Sequence, residues 1–590
     1  MSESQDHMAE WQALGARWMN LMQSQLAAKS SGAPQVQIPD PKSVQNAFDT
    51  FWKSAVANPK PLFDAQLAFW HDYAGFAQQA IKQLWLGEPM LAVADKRFKD
   101  DLWSQSPIFG LIKQFYLLAA EHIQEGVSRV GGLDEPTARK VAFYTRQFVD
   151  AMSPSNFLAT NPAALKATLD SGGENLVTGF RHMIEDMERN NGRIMPRMTD
   201  LEAFELGRDI ATTPGKVVFE NDLIQLIQYT PTTPKVHAVP LLIVPPWINK
   251  YYILDLKQKN SLIRWLVDQG QTVFVISWVN PDARLRDKGF EHYMREGILA
   301  ALDAMTAATG EKRANVAAYC IGGTLLAATL AWMAAARDPA YPPSRIRSAS
   351  FFTTMIDFSE PGELGVFIDE DQLSSLDAYM DANGYLEGHQ MATVFNMLRE
   401  NDLIWNFVVQ NYLMGKSPMA FDLLYWNCDS TRMPAAMHRF YLRKMYLENK
   451  LCKPAGVALD GVDIDIRKIK TPAYFISARE DHIAPWRSTY AGAKLFSGPV
   501  RFVLGGSGHI AGIVNPPAAN KYGYVVADEL ADTPDGWLEG TTAHEGSWWT
   551  DWMAWLAPQA GAQVAARVPG EGGLKAIEDA PGRYVKARLK

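Results

Sequence analysis

Apolar residues in the first two hundred positions recur every three or four residues, the period of an amphipathic helix. Met8 to Ala28 places Trp11, Leu14, Trp18, Leu21 and Met22 on one face, and Phe63, Leu67, Trp70, Ala74, Ala77, Ile81 and Leu84 repeat the pattern over several turns. Another helical stretch runs from Phe109 to Val127, and a linker rich in Ser, Pro and Gly spans Ser30 to Lys42. Residues 1–200 therefore read as a mostly α-helical domain. Its apolar faces either pack on each other and on the next domain or, being rich in aromatics, adsorb to an apolar surface.

After about Leu201 the period changes. Val217 to Glu220 and Leu223 to Tyr229 predict two antiparallel strands around a turn at Asn221-Asp222, and buried runs follow at Pro240 to Val244, Gln271 to Trp278, Ala314 to Ala318, Ala349 to Met355, Pro472 to Ser477 and Val500 to Leu504. Helical segments such as Glu291 to Thr309 and Thr324 to Arg337 separate most of them. Short apolar runs alternating with helices predict a mainly parallel sheet covered on both faces, with chemistry on loops at the strand C-termini. The interval from Asp357 to Pro472 is far longer than a crossover helix needs, so a cap insertion is expected at about 358–471 within a catalytic domain of 201–590. It holds an acidic, Gly-containing stretch, Glu360 to Gly388, expected to be mobile, and an aromatic-rich helical part from Leu403 to Tyr446. Such a cap can exclude water, wall an acyl pocket or pack on a second subunit.

Composition narrows the function. A chain of 590 residues is too long for one core, and 47% hydrophobic residues can fill two. A net charge of −8 without a sustained Lys/Arg run argues against nucleic acid. Cys320, Cys428 and Cys452 are odd in number and widely spaced, which suits a reducing cytoplasm rather than a disulfide framework or a zinc knuckle. The start, Met1 to Glu10, lacks the pattern of an export signal, and no apolar run is long enough for a transmembrane helix.

The chemistry centres on Val316-Ala317-Ala318-Tyr319-Cys320-Ile321-Gly322-Gly323-Thr324, a strand that breaks at a cysteine into glycines and an apolar helix. A nucleophile held on such a strand-to-helix turn is the elbow of α/β-hydrolases, with Cys in place of Ser, and the helix dipole there favours thiolate. Two later strands end in Ser477-Ala478-Arg479-Glu480-Asp481-His482 and Gly505-Gly506-Ser507-Gly508-His509, so the order is nucleophile, acid, histidine. His509 would take the proton from Cys320 while Asp481 fixes its tautomer. Glu480 or His482 could hold the role given to Asp481, and His482 could instead line the pocket or face solvent.

An oxyanion hole needs two backbone N–H groups. Ile321 supplies one by position, and the loop Pro245-Pro246-Trp247-Ile248-Asn249-Lys250 supplies the other, with Ile248 preferred and Trp247 or Asn249 as alternatives. Gly415-Lys416-Ser417 resembles the end of a phosphate loop, but Gln410 stands where that motif requires Gly, so nucleotide hydrolysis is rejected. The remaining histidines show no zinc spacing, and no metal or other cofactor is implied. Cys rather than Ser points to an acyl adduct that stays activated as a thioester, made from a substrate such as acyl-CoA and passed to a hydroxyl instead of water.

At these residues the chain resembles class I polyhydroxyalkanoate synthases, which polymerise (R)-3-hydroxyacyl-CoA into storage polyester with release of CoA. The likeness runs from about Asp150-Ala151-Met152-Ser153-Pro154 to the end. It is clearest at Pro245 to Leu256, the Cys320 elbow, Arg479 to Ile483, Gly508 to Gly512, Gly546-Ser547-Trp548-Trp549 and Pro581 to Arg588. The resemblance implies an α/β-hydrolase fold with a large cap, a Cys320, His509 and Asp481 triad, a homodimer and residence on cytoplasmic polyester granules, with granule-associated proteins as further partners. CoA enters only as part of the substrate and leaves as product. Under the resemblance Asp481 either orients His509 or acts on the incoming hydroxyl, and Asp255 either serves elongation or is a helix-start carboxylate. Ala318 departs from the Gly usual in the family's elbow. The rival readings are a cysteine hydrolase of the dienelactone type, and a granule-coating protein without catalysis.

Overall fold

The computed structural model describes residues 13–23, 38–86 and 95–588, which cluster into two compact units, Met1–Asp200 with Thr393–Phe421 and Leu201–Ala392 with Asp422–Lys590. Trp11 and most of the Ser30 to Lys42 linker lie outside the described residues.

The first unit is helical, built around α1 (Pro41–Ala57), α2 (Lys60–Leu86), α3 (Pro107–Ser128), α4 (Glu135–Ala151) and α5 (Glu174–Arg189). Sequence sets two of the starts. Asp40 and Asp134 accept from the Lys42 and Thr137 amides, and a proline in the first turn fits the φ a helix needs. Helix 13–23 buries Leu14 with Val177 and Ile184 and brings Trp18 to 5.9 Å from Phe180 on α5.

The α2 helix forms where its spacing predicts, but the face it packs differs from the apolar stripe that marks it. Phe69, Tyr73 and Phe76 interlock with Phe115 and His122 of α3 at centroid distances of 5.5–6.1 Å. These rings claim the helix contact, so Phe63, Leu67, Trp70, Ile81 and Leu84 remain 53–60% exposed. Segment 393–421 also belongs to this unit: Tyr412 donates to the buried Asp186 at 2.9 Å, and Gly179 is needed because a Cβ there would strike the Tyr412 carbonyl.

The second unit is an α/β-hydrolase fold around one eleven-stranded sheet. In chain order its strands are β1 (Gly215–Glu220), β2 (Ile224–Tyr229), β3 (Leu241–Val244), β4 (Val273–Trp278), β5 (Ala314–Tyr319), β6 (Ile346–Phe352), β7 (Ala473–Ala478), β8 (Val500–Gly505), β9 (Tyr524–Val526), β10 (Thr542–His544) and β11 (Glu578–Asp579). The spatial order is β10-β9-β8-β7-β6-β5-β3-β4-β2-β1-β11. From β4 to β8 every pairing is parallel, whereas β1, β2, β9, β10 and β11 add antiparallel flanks. The central strands β3, β4, β5 and β7 are buried throughout because helices cover both faces, which is why they read as unbroken apolar runs.

Three local differences from the sequence reading stand out. The strand expected at Ala349 to Met355 runs instead from Ile346 to Phe352, pairing from Ala314 onward at its start and ending early because Met355 turns toward α6 (Ile321–Ala336), where its carbonyl accepts from Thr324. The acidic stretch after Glu360 carries a formed helix, α7 (Glu370–Asn383), capped by Asp369 and closed by left-handed Gly384. The aromatic stretch after Leu403 is several short helices, including wide-turned π segments, instead of one long helix.

Candidate active site

Strand β5 ends at Tyr319 and α6 begins at Ile321, leaving Cys320 alone on the turn with φ 54° and ψ −124°. A positive φ is costly for a residue with a Cβ, by roughly 1–3 kcal/mol, and the surroundings hold it. The Cys320 amide donates to Phe352 O at 2.9 Å, and its carbonyl accepts from the Gly323 and Thr324 amides. Both following glycines are required by close approach. A Cβ on Gly322 would strike the Val244 carbonyl, and one on Gly323 would strike Thr354. Ala318 lies inside β5, fully buried between Val244 and Phe351, so its methyl sits in regular strand and the turn closes beyond it.

His509 and Asp481 follow β8 and β7, neighbouring parallel strands, and their loops meet. His509 Nδ1 is 2.7 Å from Asp481 Oδ2, with side chains 10% and 0% exposed. The other carboxylate oxygen accepts from the Ile483 and Ala484 amides, both at 2.9 Å, which fixes the carboxylate plane. Burial works to lower the His509 pKa, but the charges and hydrogen bonds of Asp481 and Cys320 outweigh it and hold the imidazole near about 10. This arrangement favours imidazolium beside sulfur.

Residues that sequence reasoning missed hold the histidine. Tyr319 donates to His509 O at 2.8 Å and stacks on the ring at 5.4 Å. Trp548 and Trp549 on α8 (Trp548–Leu556) donate their indole N–H groups to Gly512 O and Ile513 O, both at 2.9 Å, pinning the loop beyond the histidine. From the insertion, the hydroxyls of buried Tyr441 and half-buried Tyr446 have their pKa values raised, first by burial, then for Tyr441 by Tyr446, and for both by the charge on the Cys320 sulfur. The strand period puts Tyr319 beside the elbow, and the tryptophans were visible as a motif; nothing local marks the two cap tyrosines.

The remaining candidates separate by geometry. Ile321 opens α6, so its N–H has no preceding turn to donate into. The 247–250 loop that carries Ile248 is strapped down. Thr431 donates to Trp247 O at 2.6 Å, Trp426 to Lys250 O at 2.7 Å, and Asn249 bridges to Ser430 while its side chain accepts from the Lys250 amide. Beneath it, Lys250 Nζ contacts Asp429 at 2.7 Å and Ala587 O at 2.9 Å, and Tyr252 donates to the same carboxylate at 2.9 Å. Asp255 is fully enclosed. Its carboxylate accepts from the Thr213 and Ser261 hydroxyls at 2.6 Å each, and burial moves its pKa up to about 6. The His482 carbonyl accepts from the Glu363 amide at 3.2 Å, anchoring the start of the insertion.

Among the described residues no group of His, Cys, Asp and Glu could hold a metal ion, and no helix is long and apolar enough to cross a membrane. None of the three cysteines is joined in a disulfide.

Comparison with known proteins adds two family matches. Residues 94–266 match the family described as poly-beta-hydroxybutyrate polymerase (PhaC) N-terminus, and residues 240–516 match the α/β-hydrolase fold. The poly(3-hydroxyalkanoate) polymerase of Methylorubrum extorquens is 53% identical over 84% of this chain and 81% of its own length. The poly(3-hydroxyalkanoate) polymerase subunit PhaC of Rhizobium etli is 47% identical over 90% and 84%, and that of Cupriavidus necator is 44% identical over 90% and 89%.

Proposed function

The chain belongs to the poly(3-hydroxyalkanoate) polymerases, acyl-transferring enzymes, and from that premise we propose that it polymerises (R)-3-hydroxyacyl-CoA through a thioester on Cys320, served by His509 and Asp481. The Cys320 sulfur attacks the thioester carbonyl, and the tetrahedral oxyanion is met by the N–H groups of Ile321 and Ile248. The carbon–sulfur bond to CoA breaks, CoA leaves with the proton that His509 holds at Nε2, and one thioester has replaced another. The hydroxyl of a second hydroxyacyl-CoA then attacks the Cys320 thioester. Its proton passes to His509, an ester bond forms, and the sulfur is released. The lengthened acyl-CoA reacylates Cys320 with loss of CoA, and the cycle repeats. Asp481 orients His509 and stabilises its charged form.

The observation that carries this reading is the buried 2.7 Å contact between His509 and Asp481 with the Cys320 sulfur acting on the same imidazole. The charge on that sulfur contributes to the raised pKa values of Tyr441 and Tyr446 of the insertion, which supports a covered site where a hydroxyl competes with water for the acyl group. The reading includes a homodimeric working form and residence on cytoplasmic polyester granules. The exposed row Phe63, Leu67, Trp70, Ile81 and Leu84 suits an apolar polymer surface.

Supplying (R)-3-hydroxybutyryl-CoA tests the reaction. CoA release together with insoluble polyester is expected, and both are lost in Cys320→Ala. CoA release with free monomeric acid would mean a hydrolase instead, and undiminished polymer from Cys320→Ala would remove the proposed nucleophile.

A further inference from the structure

A cavity of about 510 Å³ lies wholly within the helical unit, and none of the triad residues lines it. Its size is within the range of small-molecule sites. The turn from Lys96 to Trp103 forms one wall and the 401–416 segment another. Most of that second wall is π-helical, Asn401–Trp405 and Val408–Leu413, and π turns often accompany functional sites.

The charges around the cavity do not cancel. Arg97 is taken up by two carboxylates, Asp95 and Asp150, and Asp402 is engaged by Arg399. This leaves Lys96, Lys99 and Lys416, each exposed and without an ion-pair partner among the described residues, against Asp100, whose carboxylate caps the Leu102 amide. In a chain of net charge −8, three lysines without ion-pair partners around one hollow favour an anion there. Lys416 reaches it because its amide donates to Gln410 O at 2.9 Å and Gly415, at φ 64°, lets the chain turn back where a Cβ would strike Asn175 O. The Gly415-Lys416-Ser417 sequence thus serves the cavity without being a phosphate loop.

The other face is aromatic and amide. Trp405 is half-buried and stacks on no ring among the described residues, and the side chains of Asn401 and Asn406, on either side of it, make no hydrogen bond within the described protein. An unstacked indole takes a planar base, and an asparagine amide can match the paired donor and acceptor on the edge of adenine. We propose that this cavity binds an adenine nucleotide, with phosphates on Lys96, Lys99 and Lys416 and the base against Trp405. The same chemistry is carried by the adenosine 3′,5′-bisphosphate portion of CoA and by free ADP. The proposal is independent of the Cys320 reaction.

Calorimetric titration of the full chain with adenosine 3′,5′-bisphosphate, ADP and inorganic phosphate, at low and high salt, tests it. Saturable nucleotide binding is expected, weakened at least about tenfold in K96A/K99A and in Trp405→Leu, with the lysine variant also less sensitive to salt. Tighter binding of the bisphosphate would identify CoA as the source, and tighter binding of ADP a free nucleotide; both support the site. No nucleotide binding, or binding unchanged in both variants, would overturn it. Phosphate binding as tightly as either nucleotide, with no effect of Trp405→Leu, would overturn the adenine assignment. Unchanged melting curves for both variants ensure that lost binding is not lost folding.

Discussion

Replacing Lys250 by Met should destabilise the catalytic unit severely, and adding Asp429→Leu should restore most of the loss. Their side chains are 3% and 4% exposed and 2.7 Å apart. Burial is the larger influence on both: it lowers the Lys250 pKa and raises that of Asp429, and their attraction only partly offsets this. The pair therefore adds little net stability, yet neither charge tolerates losing the other. Without Lys250, the Asp429 carboxylate keeps only the Tyr252 hydroxyl among the described residues, and Ala587 O loses the Lys250 donor. Breaking such a pair costs about 3–5 kcal/mol, a large share of the roughly 5–15 kcal/mol that holds a typical domain, whereas exchanging both members for apolar residues is often neutral. Urea unfolding followed by fluorescence of the catalytic unit measures this. The deficit of Lys250→Met should also shrink between pH 8 and pH 5, because an unpaired buried carboxylate escapes its penalty by taking a proton. A single variant within about 1 kcal/mol of the parent, or a double variant as unstable as the single, would refute the reasoning.

Asp481→Asn should lower the polymerisation rate by about 10²- to 10⁴-fold through loss of an oriented, charge-stabilised base, with polymer yield and CoA release falling together. The same substitution should flatten the pH dependence of stability. His509 is raised from 6.5 to about 10, so its contribution is fully present below about pH 6.5 and is lost as pH rises through about 10. Melting temperatures of the parent should therefore fall more steeply over that interval than those of Asp481→Asn, and parallel curves would contradict the assigned shift. L67S/W70S should partition onto polyester particles at least about tenfold more weakly, since each large apolar side chain covered contributes roughly 1.5–3 kcal/mol; cosedimentation reads the difference.

The parallel core was legible because strands buried on both faces are continuous apolar runs, and the elbow because Cys320 is followed by glycines that only a tight turn requires. Short edge strands such as Thr542–His544 and Glu578–Asp579 carry too few residues for a period, and went unread. Asp481 and His509 were visible as the ends of two strands, but their approach depends on β7 and β8 being neighbours, a tertiary fact. The support beneath the 247–250 loop was invisible, since Lys250 and Asp429 are 179 positions apart. Periodicity found the α2 helix and not its packed face: the rings of Phe69, Tyr73 and Phe76 take the contact with α3, and the apolar stripe from Phe63 to Leu84 stays largely exposed. The helix Glu370–Asn383 lay hidden in an acidic stretch whose cap and stop signals, Asp369 and Gly384, were present but not used.

Acid quenching during turnover of (R)-3-hydroxybutyryl-CoA, followed by mass spectrometry of the proteolysed enzyme, tests the central claim most directly. The account predicts hydroxybutyryl units on the peptide containing Cys320, removed by neutral hydroxylamine as a thioester would be, and absent from Cys320→Ser at that linkage. Acyl groups found on a different residue, or steady polymer synthesis with Cys320 never acylated, would contradict it.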